Sequence, residues 1–175
     1  MSLLSPTVLD PVVGAELTQL DASLAQTLAN RIAIVQIVTG SYATQVTNNT
    51  NVWATTGLKA TLTRKVLNSS VLVYVAQNGL GKSTGNTYCG VRLIRDGSTV
   101  LTTIEGQAGQ NAAATDNWVG GCSTLYLDQP TSTPPLTSMA PIIYETQFIS
   151  GANVATAYVQ TGSSTSRIVL LEVVT

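Results

Sequence analysis

The chain has 175 residues, of which 44% are hydrophobic and only 10% are charged, and its formal net charge is −1. This length suits a single domain with a short appendage. The eight basic residues form no stripe and do not alternate with aromatic residues, so no nucleic-acid partner is expected. Since no apolar run reaches the roughly 18 residues of a membrane span, we expect no membrane partner either.

The low charge is itself informative, because charged residues usually make up about a quarter of a soluble protein. Ser, Thr, Asn and Gln supply most of the polarity here. The cores of protein interfaces are depleted in charge in the same way. We therefore favour a surface that is covered by other copies of the chain or by a larger particle. A neutral, threonine-rich β surface that faces solvent is the alternative.

The sequence contains no histidine, which removes Ser-His-Asp and Cys-His catalytic arrangements and the usual near-neutral general base. Its acidic residues are spread singly. Cys89 and Cys122 are too few for a closed four-ligand zinc site, and both lie in alternating apolar runs. We favour two buried free thiols over a disulfide. We expect no catalytic residues, no metal and no cofactor, and therefore a protein that is not an enzyme.

Residues 1–31 are predicted to form an arm that ends in an amphipathic helix. Asp10 suits the N-cap and Pro11 the first position of a helix over 11–30. Four leucines at spacings of three, four and four residues lie on one face of it: Leu17, Leu20, Leu24 and Leu28. A helix of this length is marginal alone in water, so the stripe needs a partner. That partner is either the chain's own β domain or the same helix of other copies, in a bundle for attachment and trimerisation.

From residue 32 onward the pattern changes, and 32–175 are predicted to form an all-β domain. Short β-rich stretches follow one another, separated by turn signals rich in Gly, Asn, Ser and Pro. Asp96-Gly97 predicts a two-residue hairpin turn with positive φ at both positions. About ten strands predict an antiparallel jelly roll or sandwich. No helix is expected after residue 33.

Three features could suggest a ligand site, and we interpret each as structural. The sequence GKS at 81–83 ends like a phosphate-binding loop, but Ala76 stands where the first glycine is needed and no helix follows. We interpret 78–86 as a glycine-rich loop between two strands. Trp53 and Trp118 lie in polar settings, where we favour capping of the sandwich ends with the indole N–H satisfied over a ligand platform.

Several segments taken together resemble a known domain: LKATLTRKVLNSSVLVYVAQNG, YCGVRLIRDGSTVL, STLYLDQPTSTPPLTSMAPIIYETQF and the closing IVLLEVVT. Their order is similar to that of the β-rich C-terminal domain of many bacteriophage and cyanophage fibre and head-surface proteins. That domain is similar in turn to the tumour-necrosis-factor and C1q-like jelly rolls, which form compact trimers. The resemblance covers about 32–175 and includes no catalytic signature.

The resemblance implies a homotrimer located in the virion, on the capsid surface. The first functional hypothesis is a cement or decoration protein whose arms bind the major capsid protein or another virion protein and stabilise the head. The alternative is a short tail or head fibre, a receptor-binding protein that presents loops such as 78–87 and 105–117 to a host receptor. Neither hypothesis assigns a functional residue beyond the leucine stripe.

Overall fold

The computed structural model describes residues 33–83, 86–111, 117–130, 140–152 and 155–174, together with 19 and 21–23. Residues 19 and 21–23 are helical, within the predicted helix. The remainder of the predicted arm lies outside the described residues, and so do the four leucines of the stripe: Leu17, Leu20, Leu24 and Leu28. Ile34–Val174 form a compact unit, which is the β domain.

The described part of this domain contains ten strands and one 3-10 turn, Thr161–Ser163. The strands are β1 (Ala33–Tyr42), β2 (Val46–Asn48), β3 (Ala54–Thr63), β4 (Ser70–Lys82), β5 (Thr87–Arg95), β6 (Thr99–Asn111), β7 (Asn117–Asp128), β8 (Pro141–Ser150), β9 (Ala157–Val159) and β10 (Ser166–Val174). In β3, Leu58 and Leu62 are buried while Lys59 and Thr61 are exposed. This is the period of two that a sheet with one buried face requires.

The strands form two antiparallel sheets that pack as a sandwich. One is four-stranded, in the order β3-β8-β5-β6. The other sheet has six strands and is centred on the long strand β4. Strand β7 pairs with one edge of β4 along its length, whereas β10 and β9 pair with the other edge, one after the other. Strand β1 lies next to β10, and β2 lies next to β9. The main strands switch between the sheets along the chain as they do in a jelly roll. The predicted all-β jelly roll of about ten strands is therefore confirmed.

We call the end of the sandwich where Val71 pairs with Asp128 the base, and the end where Gly81 pairs with Trp118 the tip. The core has one hydrophobic cluster towards each end. The base cluster is Leu58, Ala60, Leu62, Val71, Val73, Val75, Leu93, Ile142, Tyr144, Ile168 and Leu170. The tip cluster is Leu80, Cys89, Val91, Ala108, Phe148, Ala157 and Val159.

A buried chain of hydrogen bonds crosses from sheet to sheet at the boundary of these clusters. The Thr146 hydroxyl donates to Gln77 Oε1 at 2.9 Å, and Gln77 Nε2 donates to the Ser166 hydroxyl at 2.9 Å. Since the Thr146 proton is used in this way, the Thr56 hydroxyl is the donor to Thr146, at 2.5 Å. Polar groups satisfied in this way are tolerated inside a core, and their directionality fixes how the two sheets are aligned.

Two glycine-rich segments predicted as loops are strands in the structure. β4 continues through NGLGK to a fully buried Lys82, and β6 continues through GQAGQN to Asn111. Their glycines lie at irregularities, since Gly79 and Gly109 have positive φ and the β4–β7 register shifts between Asn78 and Gly81. Glycine in a strand often marks a bulge rather than a turn. The loop interpretation of 78–86 was therefore wrong for 78–82.

The predicted hairpin between β5 and β6 is confirmed, with one residue more in its loop. Asp96 and Gly97 both have positive φ, and the Ser98 N–H donates to the Arg95 carbonyl at 3.3 Å. Because Arg95 pairs with Thr99, the loop consists of Asp96, Gly97 and Ser98.

The two cysteines are free, as expected, with Cys89 buried and Cys122 half-buried. Burial raises the pKa of each thiol to about 12, and the negative charge of Glu105 adds to the effect. Both thiols are therefore protonated at neutral pH and are poor nucleophiles.

Glu172 of β10 is a buried carboxylate that holds the connection between β3 and β4. It accepts hydrogen bonds from the backbone N–H groups of Lys65 and Val66, from the Ser69 hydroxyl at 2.7 Å and from Gln36 Nε2 at 2.6 Å. Burial alone would raise the pKa of this carboxyl, but the four donors outweigh it and the pKa is lowered. The ionised form is therefore the one that the fold stabilises.

A group with a lowered pKa contributes stability above its unfolded-state pKa, near 4.5 here, and loses it as the pH falls through the folded-state pKa. Glu172→Gln is expected to lower the free energy of unfolding by about 1–3 kcal/mol at neutral pH, since buried donors lose their charged acceptor. The variant should also lose less stability than the parent between about pH 5 and pH 3. Urea unfolding across this range measures both effects, with the less buried Glu145→Gln as control. Parallel pH curves for parent and E172Q would contradict the assignment.

Candidate interaction surface

The outer face of the six-stranded sheet carries a continuous apolar patch in its base half, which we call the apolar facet. It consists of Ile37, Leu72, Tyr74, Leu125, Leu127, Val169 and Leu171. Leu72 lies between Leu127 and Leu171, and in the next row Tyr74 lies between Leu125 and Val169. The exposed fractions are 64% for Leu125, 50% for Leu127 and 59% for Ile37. A contiguous exposed patch of this kind marks an interaction site in soluble proteins.

The facet arises because the central strands are apolar on both faces. In β4, Val71, Val73 and Val75 point into the core, while Leu72 and Tyr74 point outward. Strands that read as continuous apolar runs are typical of sheets covered on both sides. Here the chain's own second sheet covers one side, and the apolar residues on the other side remain exposed or half-buried in the described part of the chain.

The outer face of the four-stranded sheet is different in character. Lys59 is paired in register with Glu145, and Arg92 donates to Gln147 Oε1 at 2.6 and 3.0 Å. On the outer face of the six-stranded sheet, Arg167 is the one charged side chain among the described residues of β1, β4, β7 and β10. The two outer faces therefore differ in charge, although the four-stranded sheet also exposes two apolar side chains, Val100 and Ile143.

At the tip, two aromatic rings lie side by side on the outer face of the six-stranded sheet. Trp118 and Tyr158 both pair with Gly81, one from each side, and their ring centroids are 5.6 Å apart. Trp118 remains 57% exposed. The prediction that it caps an end of the sandwich is therefore wrong, because the side chain lies on a strand over a glycine.

Trp53 does not cap an end either. It lies on the outer face of the four-stranded sheet, where the Arg92 guanidinium stacks 4.3 Å above its ring centroid. Gly90 lies beneath it, and a Cβ there would be 3.6 Å from the ring. The stacked cation covers the indole, which makes this a local packing cluster.

The base is closed by a buried ion pair. Arg95 Nη1 lies 2.7 Å from both carboxylate oxygens of Asp128, and the buried Tyr144 hydroxyl donates to Asp128 Oδ2 at 2.7 Å. Burial and the Asp128 charge raise the pKa of Tyr144, so the phenol stays protonated as the donor. Burial lowers the pKa of Arg95, but its bond to Asp128 outweighs this and raises it. The arrangement is structural, because every member is used in holding the others.

Two further observations concern metal ligands and membrane-spanning helices. Within the described residues, no group of three or more potential metal ligands lies together. No described helix has the length and hydrophobicity needed to cross a bilayer.

The sequence analysis did not predict the apolar facet. The continuous apolar runs VLVYV and IVLLEVV are the pattern that indicates strands with two apolar faces.

The fold and this surface define a jelly-roll sandwich with one uncovered apolar face. No family profile matches the sequence, and no curated protein matches it. Among solved structures, the chain is similar to a chain in the structure of infectious bursal disease virus Gx strain, with 15% sequence identity and a TM-score of 0.27. The match covers 83% of this chain and 41% of the viral chain. A VP2 subviral particle of the same virus gives 10% identity and a TM-score of 0.28 over 83% and 42%.

The chain thus spans about two fifths of the length of these viral chains. TM-scores at this level place no constraint on function. Function is therefore inferred from the apolar facet on the six-stranded sheet.

Proposed function

We propose that the protein is a non-enzymatic structural component of a phage particle, a homotrimeric cement or decoration protein that stabilises the capsid from its outer surface. The observation that carries the proposal is the apolar facet. It lies on a sheet whose inner face is already covered, and it is nearly free of charge.

The size of the facet supports self-association. Complete burial of a large apolar side chain contributes about 1.5–3 kcal/mol. Four members, Ile37, Tyr74, Leu125 and Leu127, are about half exposed, so burial of what remains exposed would together contribute roughly 3–6 kcal/mol per chain before the entropy cost of association. That range is sufficient for a specific assembly when both contacting surfaces contribute.

The position of the facet suits a closed ring. It extends from the edge strand β7, with Leu125 and Leu127, to the edge strand β1, with Ile37. A threefold axis would place the β7 side of one copy against the β1 side of the next. Such head-to-tail contacts close without leaving an unused patch. The number three comes from the resemblance of the chain's segments to trimeric jelly rolls.

The arm is proposed to attach the trimer to the shell. Residues 1–31, with the predicted leucine-striped helix, precede β1 in the sequence, and Ile37 of β1 belongs to the facet. In this proposal the helices and arms bind the major capsid protein or a neighbouring virion protein. The added buried area then resists the outward pressure of the packaged genome, and the function is mechanical.

Particles assembled with and without the protein test this proposal. Those that lack it are expected to release their genome at a lower temperature and at a lower osmotic shock. A chain that lacks residues 1–31 should fail to bind the particle, whereas Lys59→Ala, on the four-stranded sheet, should bind as the parent does. Equal heat and pressure resistance with and without the protein would refute the cement role.

A further inference from the structure

A second surface, at the tip, has a different chemistry from the apolar facet. We propose that the Trp118–Tyr158 pair, with the adjoining groove between β4 and β7, is a binding site for a neutral oligosaccharide. The proposal is independent of the cement role.

The aromatic pair forms a shallow, open platform. Gly81 lies between Trp118 and Tyr158 in the sheet and has no side chain to separate the two rings, and it is itself buried. The ring planes are inclined by 40°. In contrast with Trp53, whose ring is covered by Arg92, the indole of Trp118 is more than half exposed.

A polar, open groove of about 350 Å³ lies on the base side of this platform, and its lining ends at Asn78 and Gly121, three residues before Gly81 in β4. It is lined by Tyr74, Ala76, Asn78, Gly121, Cys122 and Ser123. Asn78 Nδ2 donates to the Thr165 carbonyl at 2.7 Å, and its Oδ1 lies over Gly121. A Cβ on Gly121 would approach that oxygen to 2.6 Å and the Gln77 carbonyl to 2.7 Å. Glycine at this position therefore keeps the amide in place and the groove open.

The combination matches the chemistry of a sugar. Pyranose rings present apolar C–H faces, which suit aromatic rings, and a rim of hydroxyls, which suit amides, hydroxyls and backbone carbonyls. The eight residues of β4 from Tyr74 to Gly81 span about 23 Å, enough for several sugar units.

The charge of the site selects a neutral ligand. None of the side chains that line the groove or form the platform is charged. Among the described residues, Arg167 of β10 is the charged side chain nearest in register, because it pairs with the groove residue Ala76 and flanks the groove on the side away from β7. Because the lining itself is uncharged, a sugar without carboxylate or sulfate groups is the ligand that we propose, and a preference for acidic sugars would assign the selection to Arg167 instead.

The site shares one residue with the apolar facet, because Tyr74 lines the base end of the groove. The other groove residues of β4, Ala76 and Asn78, and the platform at Gly81 lie outside the facet. The register shifts between Asn78 and Gly81 and the positive φ of Gly79 and Gly120 mark an irregular stretch between groove and platform.

The test uses the full-length protein and an array of neutral glucans, mannans, galactans and N-acetylhexosamine oligomers, with polygalacturonate and sialylated oligosaccharides as acidic probes. We expect binding to at least one neutral oligosaccharide. By titration calorimetry, Trp118→Ala should weaken that binding at least tenfold, and Trp118→Phe should weaken it less. Val100→Ala, an equally exposed apolar position on the other sheet, should bind as the parent does. Thermal unfolding and molar mass of W118A should be unchanged.

Three results would overturn the proposal. These are failure to bind any neutral oligosaccharide on the array, preferential binding of the acidic probes, and undiminished binding by W118A. A W118A variant whose assembled mass falls would assign the platform to contacts between copies instead, and the carbohydrate site would be rejected.

Discussion

Replacement of Leu125 and Leu127 together by aspartate is expected to convert the assembled protein into a folded monomer. Both side chains are at least half exposed in the single chain, so carboxylates there would face water and leave the sandwich intact. In the assembly, each lost leucine removes about 1–2 kcal/mol, because association buries only the exposed half or so of the side chain, and each introduced carboxylate adds several kcal/mol of desolvation. The dissociation constant should rise by at least about three orders of magnitude, since about 1.4 kcal/mol corresponds to a factor of ten.

Sedimentation velocity and light scattering at micromolar concentration measure the change in mass, and circular dichroism confirms that the fold is kept. Ile143→Asp and Val100→Asp provide matched controls, because both positions are exposed apolar sites on the four-stranded sheet. Those two variants should keep the parent mass. A parent protein that is already monomeric under these conditions, or a double variant that keeps its mass, would reject the apolar facet as the contact surface.

Asp128→Ala is expected to produce the largest loss of stability within one chain. It removes the acceptor of two bonds from Arg95 and one from the Tyr144 hydroxyl, all at 2.7 Å. The half-buried Arg95 guanidinium and the buried Tyr144 phenol then lack their partner, and since a fully buried pair costs about 3–5 kcal/mol to break, we expect a loss of about 3 kcal/mol here. Asp128→Asn keeps an acceptor but loses the charge, so its loss should be smaller.

Tyr144→Phe completes the series with an expected loss of about 1 kcal/mol, because the Arg95–Asp128 pair survives. Urea unfolding, followed by tryptophan fluorescence, should rank the variants as D128A, D128N and Y144F in order of decreasing loss. The series is best measured in the monomeric Leu125/Leu127 background, where unfolding is not coupled to association. Equal losses for all three would show that the ion pair contributes nothing beyond packing.

The sequence was sufficient to predict the fold class because the strands alternate strongly and their turns are well marked. LKATLT in β3 and the Asp96-Gly97 turn are local signals, and both behave as expected. The tip half of β4 was assigned to a loop, because glycine in a sequence is equally typical of a β-bulge and of a loop. Only the pairing of Gly81 with Trp118 on one side and Tyr158 on the other shows that this segment belongs to a sheet.

The surfaces could be predicted only in part for the same reason. A neutral contact surface was expected from composition, but its position depends on which face of each apolar strand the second sheet covers. That choice is made by pairing between segments distant in the chain, such as Leu72 with Leu127 and Leu171. The Trp118–Tyr158 pair likewise depends on Gly81, which is distant from both residues in the sequence although it lies between them in the sheet. No local sequence pattern could therefore predict the pair.

The hydrogen-bonded chain of Thr56, Thr146, Gln77 and Ser166 has a consequence for how this domain changes over time. It separates the base cluster from the tip cluster, and among the described residues Ile104 packs against both. Substitutions in one cluster can then accumulate with limited repacking of the other. A lineage can therefore remodel the tip repeatedly while the base keeps its packing.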